Sequence, residues 1–349
     1  MKRTRSSRRH HYSARNAASL AALALLVAML SYGGSCVYTA PPSENLEIRT
    51  WYDLDAVRDN LNGNHKLMND LDSTTSGHDQ LAGVTANEGK GWQPIGFHPW
   101  LGSTAYEGFW GAFDGQGHEI RDLYINRPGE RWVGLFGDIM PGGLIQDIGV
   151  MNATVIGDEY VGGLLAVTDG AVSNCYCSGK VTGRGSVGGL VGVNNHGTVY
   201  NSYFTGSVIG VDNVGGLTGR NHGTVSDSYS TGNVTGNYYV GGLAGCQSVG
   251  IVSNSYATGS VTGTTYVGGL VGWNFKGPVT NSFWDIETSG QATSEGGTGK
   301  NTTEMQDIAT FLGATWDICA VAPDSTNTTY TWNIVNNVTY PFLSWQPVS

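Results

Sequence analysis

Basic side chains are scarce in this chain: 18 Lys and Arg stand against 28 Asp and Glu in 349 residues. Six of the 18 (Lys2, Arg3, Arg5, Arg8, Arg9 and Arg15) belong to the first 36 residues, which hold no acid. The remainder therefore carries 12 basic against 28 acidic groups, a net charge of −16. Such a surface repels phosphate backbones, and nucleic acid is excluded as a partner. Long apolar runs are missing too, save one from Ala17 to Leu30. At about 14 residues it is too short to span a bilayer. With basic residues before it and Ser31-Tyr-Gly-Gly-Ser-Cys36 after it, it reads as a secretory leader, so the chain is expected to be exported. No His-Glu-x-x-His occurs, which removes the metal site and general base of a zinc peptidase. Stretches long enough for helices are almost absent between the glycines.

Glycine, at 53 residues, recurs instead at a fixed period. Val161-Gly-Gly-Leu164 returns as Val187-Gly-Gly-Leu190, Val214-Gly-Gly-Leu217, Val240-Gly-Gly-Leu243 and Val267-Gly-Gly-Leu270, at spacings of 26, 27, 26 and 27 residues. A period of that length means a solenoid. A second column follows each leucine: Val172-Ser-Asn-Cys-Tyr176, Val199-Tyr-Asn-Ser-Tyr203, Val225-Ser-Asp-Ser-Tyr229, Val252-Ser-Asn-Ser-Tyr256 and Val279-Thr-Asn-Ser-Phe283. Ile120-Arg-Asp-Leu-Tyr124 and Ile145-Gln-Asp-Ile-Gly149 precede it as degenerate copies, so at least seven units stack. Val155, Val181, Val208, Val234 and Val261, each two residues before a glycine, close the units.

Segments of four to seven residues rich in Val, Thr, Ser and Tyr suit short strands. Three per coil make a right-handed parallel β-helix, with each residue about 4.8 Å from its counterpart in the next coil. The degenerate copies place apolar residues first, fourth and sixth (Ile120, Leu123, Ile125; Ile145, Ile148, Val150), so the Asn/Asp column must sit at a bend that resets the two-residue alternation. That predicts a turn ladder of Asn174, Asn201, Asp227, Asn254 and Asn281, small inward residues Cys175, Ser202, Ser228, Ser255 and Ser282, and an outward stack of Tyr176, Tyr203, Tyr229 and Tyr256. The tyrosine stack is the candidate binding surface.

Gly189-Leu-Val-Gly192, Gly216-Leu-Thr-Gly219, Gly242-Leu-Ala-Gly245 and Gly269-Leu-Val-Gly272, each followed by an Asn/Asp-Ser-Tyr/Phe column, resemble the GLUG repeat of bacterial and archaeal surface proteins. The first copy departs from it, with Ala166 in place of the last glycine. The resemblance covers residues 133–285, and Phe113-Asp-Gly-Gln-Gly-His118 and Phe283-Trp-Asp285 are similar to segments that accompany such repeats. It implies an adhesin-like β-helix at the cell surface or outside the cell. Related repeats form an accessory region of immunoglobulin A peptidases, so the resemblance implies no single activity.

The flanks complete the organisation. Residues 1–36 are the leader; Gly34-Ser-Cys36 resembles a lipoprotein acylation site, leaving either a lipid anchor on Cys36 or plain cleavage nearby. Residues 37–48 form a linker, 49–132 an N-terminal cap with the first coils, 133–285 the repeats, and 286–349 a C-terminal loop, helix and closing strands. Thr50 with Asp53 predicts a helix start, with Trp51, Leu54, Val57 and Leu61 inward and Gly63 at its end. Such a helix covers the open end of a solenoid. Ser73 to Gly91 reads as a polar loop. Trp92, Trp100, Phe109, Trp110 and Trp132 make this the aromatic end, either as a buried capping layer or as a sugar-stacking surface. Ser289 to Asn301 reads as a loop, Thr303 to Leu312 as a helix with Met305, Ile308 and Leu312 inward, and Tyr330 to Trp345 as strands closing the C-terminal end.

The remaining chemistry is sparse. Cys175 and Cys177 are two residues apart and Cys246 about three coils away, roughly 10–14 Å at strand spacing and beyond the ~7 Å limit for a bridge, so no disulfide framework is expected. His196 and His222 recur in Asn-His-Gly turns without carboxylate support, a poor zinc pair. Glycoside hydrolysis needs carboxylates converging at roughly 5–10 Å. Asp114, Asp122 and Asp147 are the densest acidic set, with Asp122 and Asp147 in the turn ladder. The expectation is a non-catalytic surface protein acting in adhesion, ligand binding or envelope structure, without cofactor, its partner a surface glycan or protein. A polysaccharide lyase or hydrolase, or a module of a larger secreted complex, is the alternative.

Overall fold

The computed structural model describes residues 45–96 and 108–346; the predicted leader, Cys36 and Trp100 lie outside them. Short strands stack in parallel at the repeat period and wind into a β-helix. One sheet has nine strands, from Glu47–Ile48 to Val279–Thr280, and carries the Val-Ser-Asn column. The tyrosine column lies on a second, eleven-stranded sheet. Where three strands per coil are expected, each repeat runs through four sheets, because Val-Gly-Gly-Leu folds sharply and splits into a five-stranded and a six-stranded sheet.

Glycine makes that corner. A Cβ on Gly188 would overlap the carbonyl of Val191 and lie 2.7 Å from the amide nitrogen of Gly219 in the next coil. The two strands therefore pack backbone to backbone, with no room for a side chain. The valines before the corner stay in register, Val161 with Val187 and Val187 with Val214, and point into a core with Leu164, Leu190, Val172 and Val199, all fully buried.

The turn ladder forms as predicted. Asn174, Asn201, Asp227, Asn254 and Asn281 are left-handed, with φ between 47° and 55°, a conformation Asn and Asp tolerate better than other side-chain-bearing residues. Amides join it along the axis, Asn174 donating to Asp147 and Asn201 to Asn174, both at 2.7 Å. The inward serines follow for a second reason. Each hydroxyl accepts the backbone N–H of the preceding coil and donates to a carbonyl two residues before it: Ser202 N–H reaches Ser228 Oγ at 3.2 Å, and that Oγ donates to Ser226 O at 2.7 Å. A buried turn amide that the strand ladders leave over is thereby satisfied.

At the N-terminal end, Thr50 and Asp53 form a capping box on the helix Trp51–Ala56, with Trp51, Leu54 and Val57 in the core. The helix tightens into a 3₁₀ turn at Val57–Asn60 rather than continuing to Gly63. The segment read as a loop after Ser73 contains two short turns, His78–Leu81 and Ala86–Gly89. Trp92, Phe109 and Trp132 are buried and Trp110 is exposed.

The C-terminal end differs more. Ser289 to Asn301 is no loose loop: Ser294 Oγ takes the amides of Leu270 and Val271 at 3.3 and 2.9 Å, and Thr298–Lys300 pairs with Phe283–Asp285 as a last rung. Asn301, not Thr303, caps the next helix with Glu304, and Asp307 caps a second turn, so Thr302–Met305 and Ile308–Gly313 are separate. Phe311 takes the inward place and Leu312 is 53% exposed. The tail does not close the end. Ile318–Ala320, Trp332–Ile334 and Phe342–Leu343 form their own sheet, packed against the tyrosine column.

Candidate binding groove at the head of the tyrosine ladder

Parallel register places the tyrosines one above another. Ring centroids are 5.0 Å apart for Tyr176 and Tyr203 and 4.9 Å for Tyr203 with Tyr229 and Tyr229 with Tyr256, with planes within 7° of parallel. The rings lie outside the coil core, as the alternation requires, but they are not an open surface. Tyr176, Tyr203, Tyr229 and Tyr256 are only 8, 9, 5 and 1% exposed. Trp345 packs on Tyr176 and Tyr203, Trp332 on Tyr229 and Tyr256, and Trp316 on Tyr256 and Phe283. The cause is hydrophobic: stacked rings left outside one core are covered by an aromatic tail, making a second. Their hydroxyls are engaged as well, Tyr256 donating to Pro341 O at 2.5 Å and Tyr229 accepting from Gln346 Nε2 at 2.7 Å. Burial drives the Tyr176, Tyr229 and Tyr256 hydroxyls well above the usual phenol range.

The stack stops at Tyr176, whose partner one coil back is Gly149. A Cβ there would overlap the Tyr176 ring, so no further ring continues the column. Beyond it opens a groove of about 730 Å³ whose walls include Asp114, Glu119, Asp147, Asn174, Tyr176 and Trp345. Tyr176 donates its hydroxyl to Glu119, which also pairs with Arg121. Asp70 accepts the backbone N–H of Glu119 at 3.0 Å and lies 3.1 Å from Nδ1 of His118. Burial pushes the Asp147 carboxyl above the ordinary carboxylate range, the Asn174 amide opposes this, and Asp114 adds to it. Asp114 accepts the N–H of Gln116 at 2.9 Å.

Of the acidic set noted in the sequence, Asp114 and Asp147 thus meet at the groove. Asp122, left-handed with φ 61°, keeps only its turn place. His196 does have carboxylate support, contrary to expectation: Asp169 Oδ1 lies 2.9 Å from its Nδ1. Burial lowers the His222 pKa, and Arg220 and His196 lower it further. No group of three or more His, Cys, Asp or Glu gathers as a metal site among the described residues. Cys175 and Cys177 are buried free thiols, and burial pushes Cys175 up to about 12.

Sequence reasoning missed the role of Trp345 as the groove's second ring, although the tail's aromatic alternation was visible. It also passed over Tyr239, Tyr266 and Trp273, which form a separate aromatic group in which Tyr266 is exposed. The signal was there: Tyr239 and Tyr266 each stand immediately before a Val-Gly-Gly.

The GLUG motif matches residues 183–209 and 236–262. Halomucin of Haloquadratum walsbyi is 35% identical over 163 residues, 45% of this chain but 2% of halomucin. The chain thus corresponds to a small fraction of that relative's length. The crystal structure of a proposed immunoglobulin A1 protease from Bacteroides ovatus superposes with a TM-score of 0.57 at 18% identity, over 88% of this chain and 94% of the other. At that identity the likeness is one of fold.

Proposed function

Taking the chain as a parallel β-helix built on GLUG motifs, we propose that it is an exported protein of the cell surface or extracellular space that works by binding rather than catalysis, in adhesion or envelope structure. The observation that carries this reading is the groove at the head of the ladder. The largely buried Tyr176 and the half-buried Trp345 line it beside the carboxylates of Asp114, Glu119 and Asp147, a mixture of apolar wall and a few polar groups that suits a surface glycan or protein ligand. The motif matches and the similarity to halomucin support a place outside the cell. An acylated Cys36 would supply an anchor.

One feature favours a second reading. A carboxyl raised by burial beside another carboxylate, as Asp147 is beside Asp114, is the arrangement that lets one acid donate and its neighbour stay ionised in glycoside hydrolysis. The test is to incubate the purified chain with polysaccharides and cell-wall preparations, recording retention and product release together. Retention without products, weakened in Asp114→Asn and Glu119→Gln, is the expected result. Oligosaccharides released by the parent chain and not by Asp147→Asn would replace the binding reading with the hydrolase.

A further inference from the structure

The Val-Gly-Gly corner creates a second outward row. The residue before each valine is left-handed, and it stands beside the residue that follows the third glycine of the next coil. A Cβ on Gly219, Gly245 and Gly272 would lie 2.5–2.6 Å from the carbonyl carbons of Ser186, Asn213 and Tyr239 respectively. Arg220, Cys246 and Trp273 therefore flank those three residues. In the middle coils this row is polar. At the last two it turns aromatic: Tyr239 and Tyr266 stack at 5.2 Å and 14°, and the Trp273 ring meets Tyr266 at 4.8 Å and 64°. Unlike the tyrosine ladder, this group reaches solvent: Tyr266 is 46% exposed, and Tyr239 and Trp273 are half-buried.

We propose that the Tyr239–Tyr266–Trp273 corner is a binding site for a pyranose glycan. Tyr239 stacks on one face of Tyr266 and the Trp273 indole crosses beside them, leaving the half-exposed Tyr266 as the platform; the apolar C–H face of a pyranose lies flat on such a ring while its hydroxyl rim needs polar partners. Charged groups stand in the coils behind the indole: the Arg220 guanidinium and the Asp212 carboxylate both act on Cys246, which pairs in register with Trp273. Size argues against a protein partner. A fully buried aromatic ring contributes about 150–250 Å², and these rings are already partly covered, so the corner falls well short of the ~800 Å² per partner of a stable protein interface. One or two sugar rings match it. The corner lies on the two sheets that carry neither the ladder nor the groove, so it is a site additional to the groove, although it shares the premise that the chain faces its ligand outside the cell.

The test is an array of immobilised neutral, N-acetylated and acidic oligosaccharides probed with the full chain and with Tyr266→Ala and Trp273→Ala. The parent is expected to be retained on neutral or N-acetylated glycans. Tyr266→Ala and Trp273→Ala each lose about ten-fold or more in affinity, the equivalent of about 1.4 kcal/mol. Tyr266 is half exposed, so its variant keeps the parent's melting curve and decides the matter should Trp273→Ala fold poorly. No retention on any glycan class, or retention unchanged in Tyr266→Ala, overturns the proposal. A parent dimer in sedimentation that Tyr266→Ala dissociates, with no glycan held, overturns it in favour of a contact between copies.

Discussion

Tyr229 and Tyr256 lie face to face at 4.9 Å with ring planes 2° apart, and the Trp332 indole packs across both. Two tyrosines that pattern alone sends to the surface are thereby part of a core. Tyr256→Ala removes a fully buried ring and the hydroxyl that Pro341 O accepts. The expected cost is on the order of 3–5 kcal/mol, concentrated in the tail. Limited proteolysis should cut the variant within residues 314–346 while the repeats stay protected; cleavage spread evenly through the repeats would mean the ladder supports the solenoid itself.

The serine column makes a different prediction. Ser228→Ala leaves the Ser202 amide without an acceptor, and an orphaned buried donor costs roughly 1–3 kcal/mol. Chemical denaturation should show that loss, with a smaller one for Ser228→Thr if the hydroxyl keeps its place. Equal losses would assign the effect to volume.

Gly215→Ala tests the corner. Its Cβ would overlap the Thr218 carbonyl and sit 2.6 Å from the Gly245 amide nitrogen, both backbone atoms that cannot turn aside. Overpacking by one methyl costs typically 1–3 kcal/mol where side chains yield, and here nothing yields. The variant should fail to accumulate as folded protein by circular dichroism, whereas Gly142→Ser, with open space around it, should fold despite its strained φ.

A pH dependence follows from Asp138, a buried carboxyl whose Oδ1 has no partner and whose pKa is raised to about 7 by burial and by Asp169. Because the folded value lies above the unfolded one, the folded state holds the proton more tightly. Its stabilising contribution is full below about pH 4 and is lost as pH rises through about 7. Asp138→Asn should therefore raise the melting temperature above pH 7 and leave it nearly unchanged at pH 4. A pH-independent difference would refute the assignment.

Much of this molecule was legible from the chain. The period, the left-handed Asn/Asp column and the inward serines are local consequences of repeated residues in register, and a repeat reports them directly. The cover over Tyr176 to Tyr256 was not legible, because it depends on Trp316, Trp332 and Trp345, which come from a tail with no repeat to set their place. The same holds for the groove. Asp114 and Asp147 were singled out, but Trp345, the ring that walls them in, comes from almost two hundred residues beyond Asp147. Nor did pattern reveal the fourth sheet each coil runs through, since Val-Gly-Gly-Leu reads as one extended segment unless the missing Cβ atoms are taken as a sign of close backbone approach.

The tail's three tryptophans each straddle two neighbouring rungs: Trp345 the first pair of ladder tyrosines, Trp332 the next, and Trp316 Tyr256 with Phe283. Four stacked tyrosines and Phe283, next in register, are thus matched by three clasps of fixed spacing. Inserting or deleting one repeat would shift every clasp by a rung and leave a ring uncovered or an indole without a seat. The segment that follows the repeats works as a gauge of their number, so that a solenoid able in principle to lengthen by duplication is held to one length.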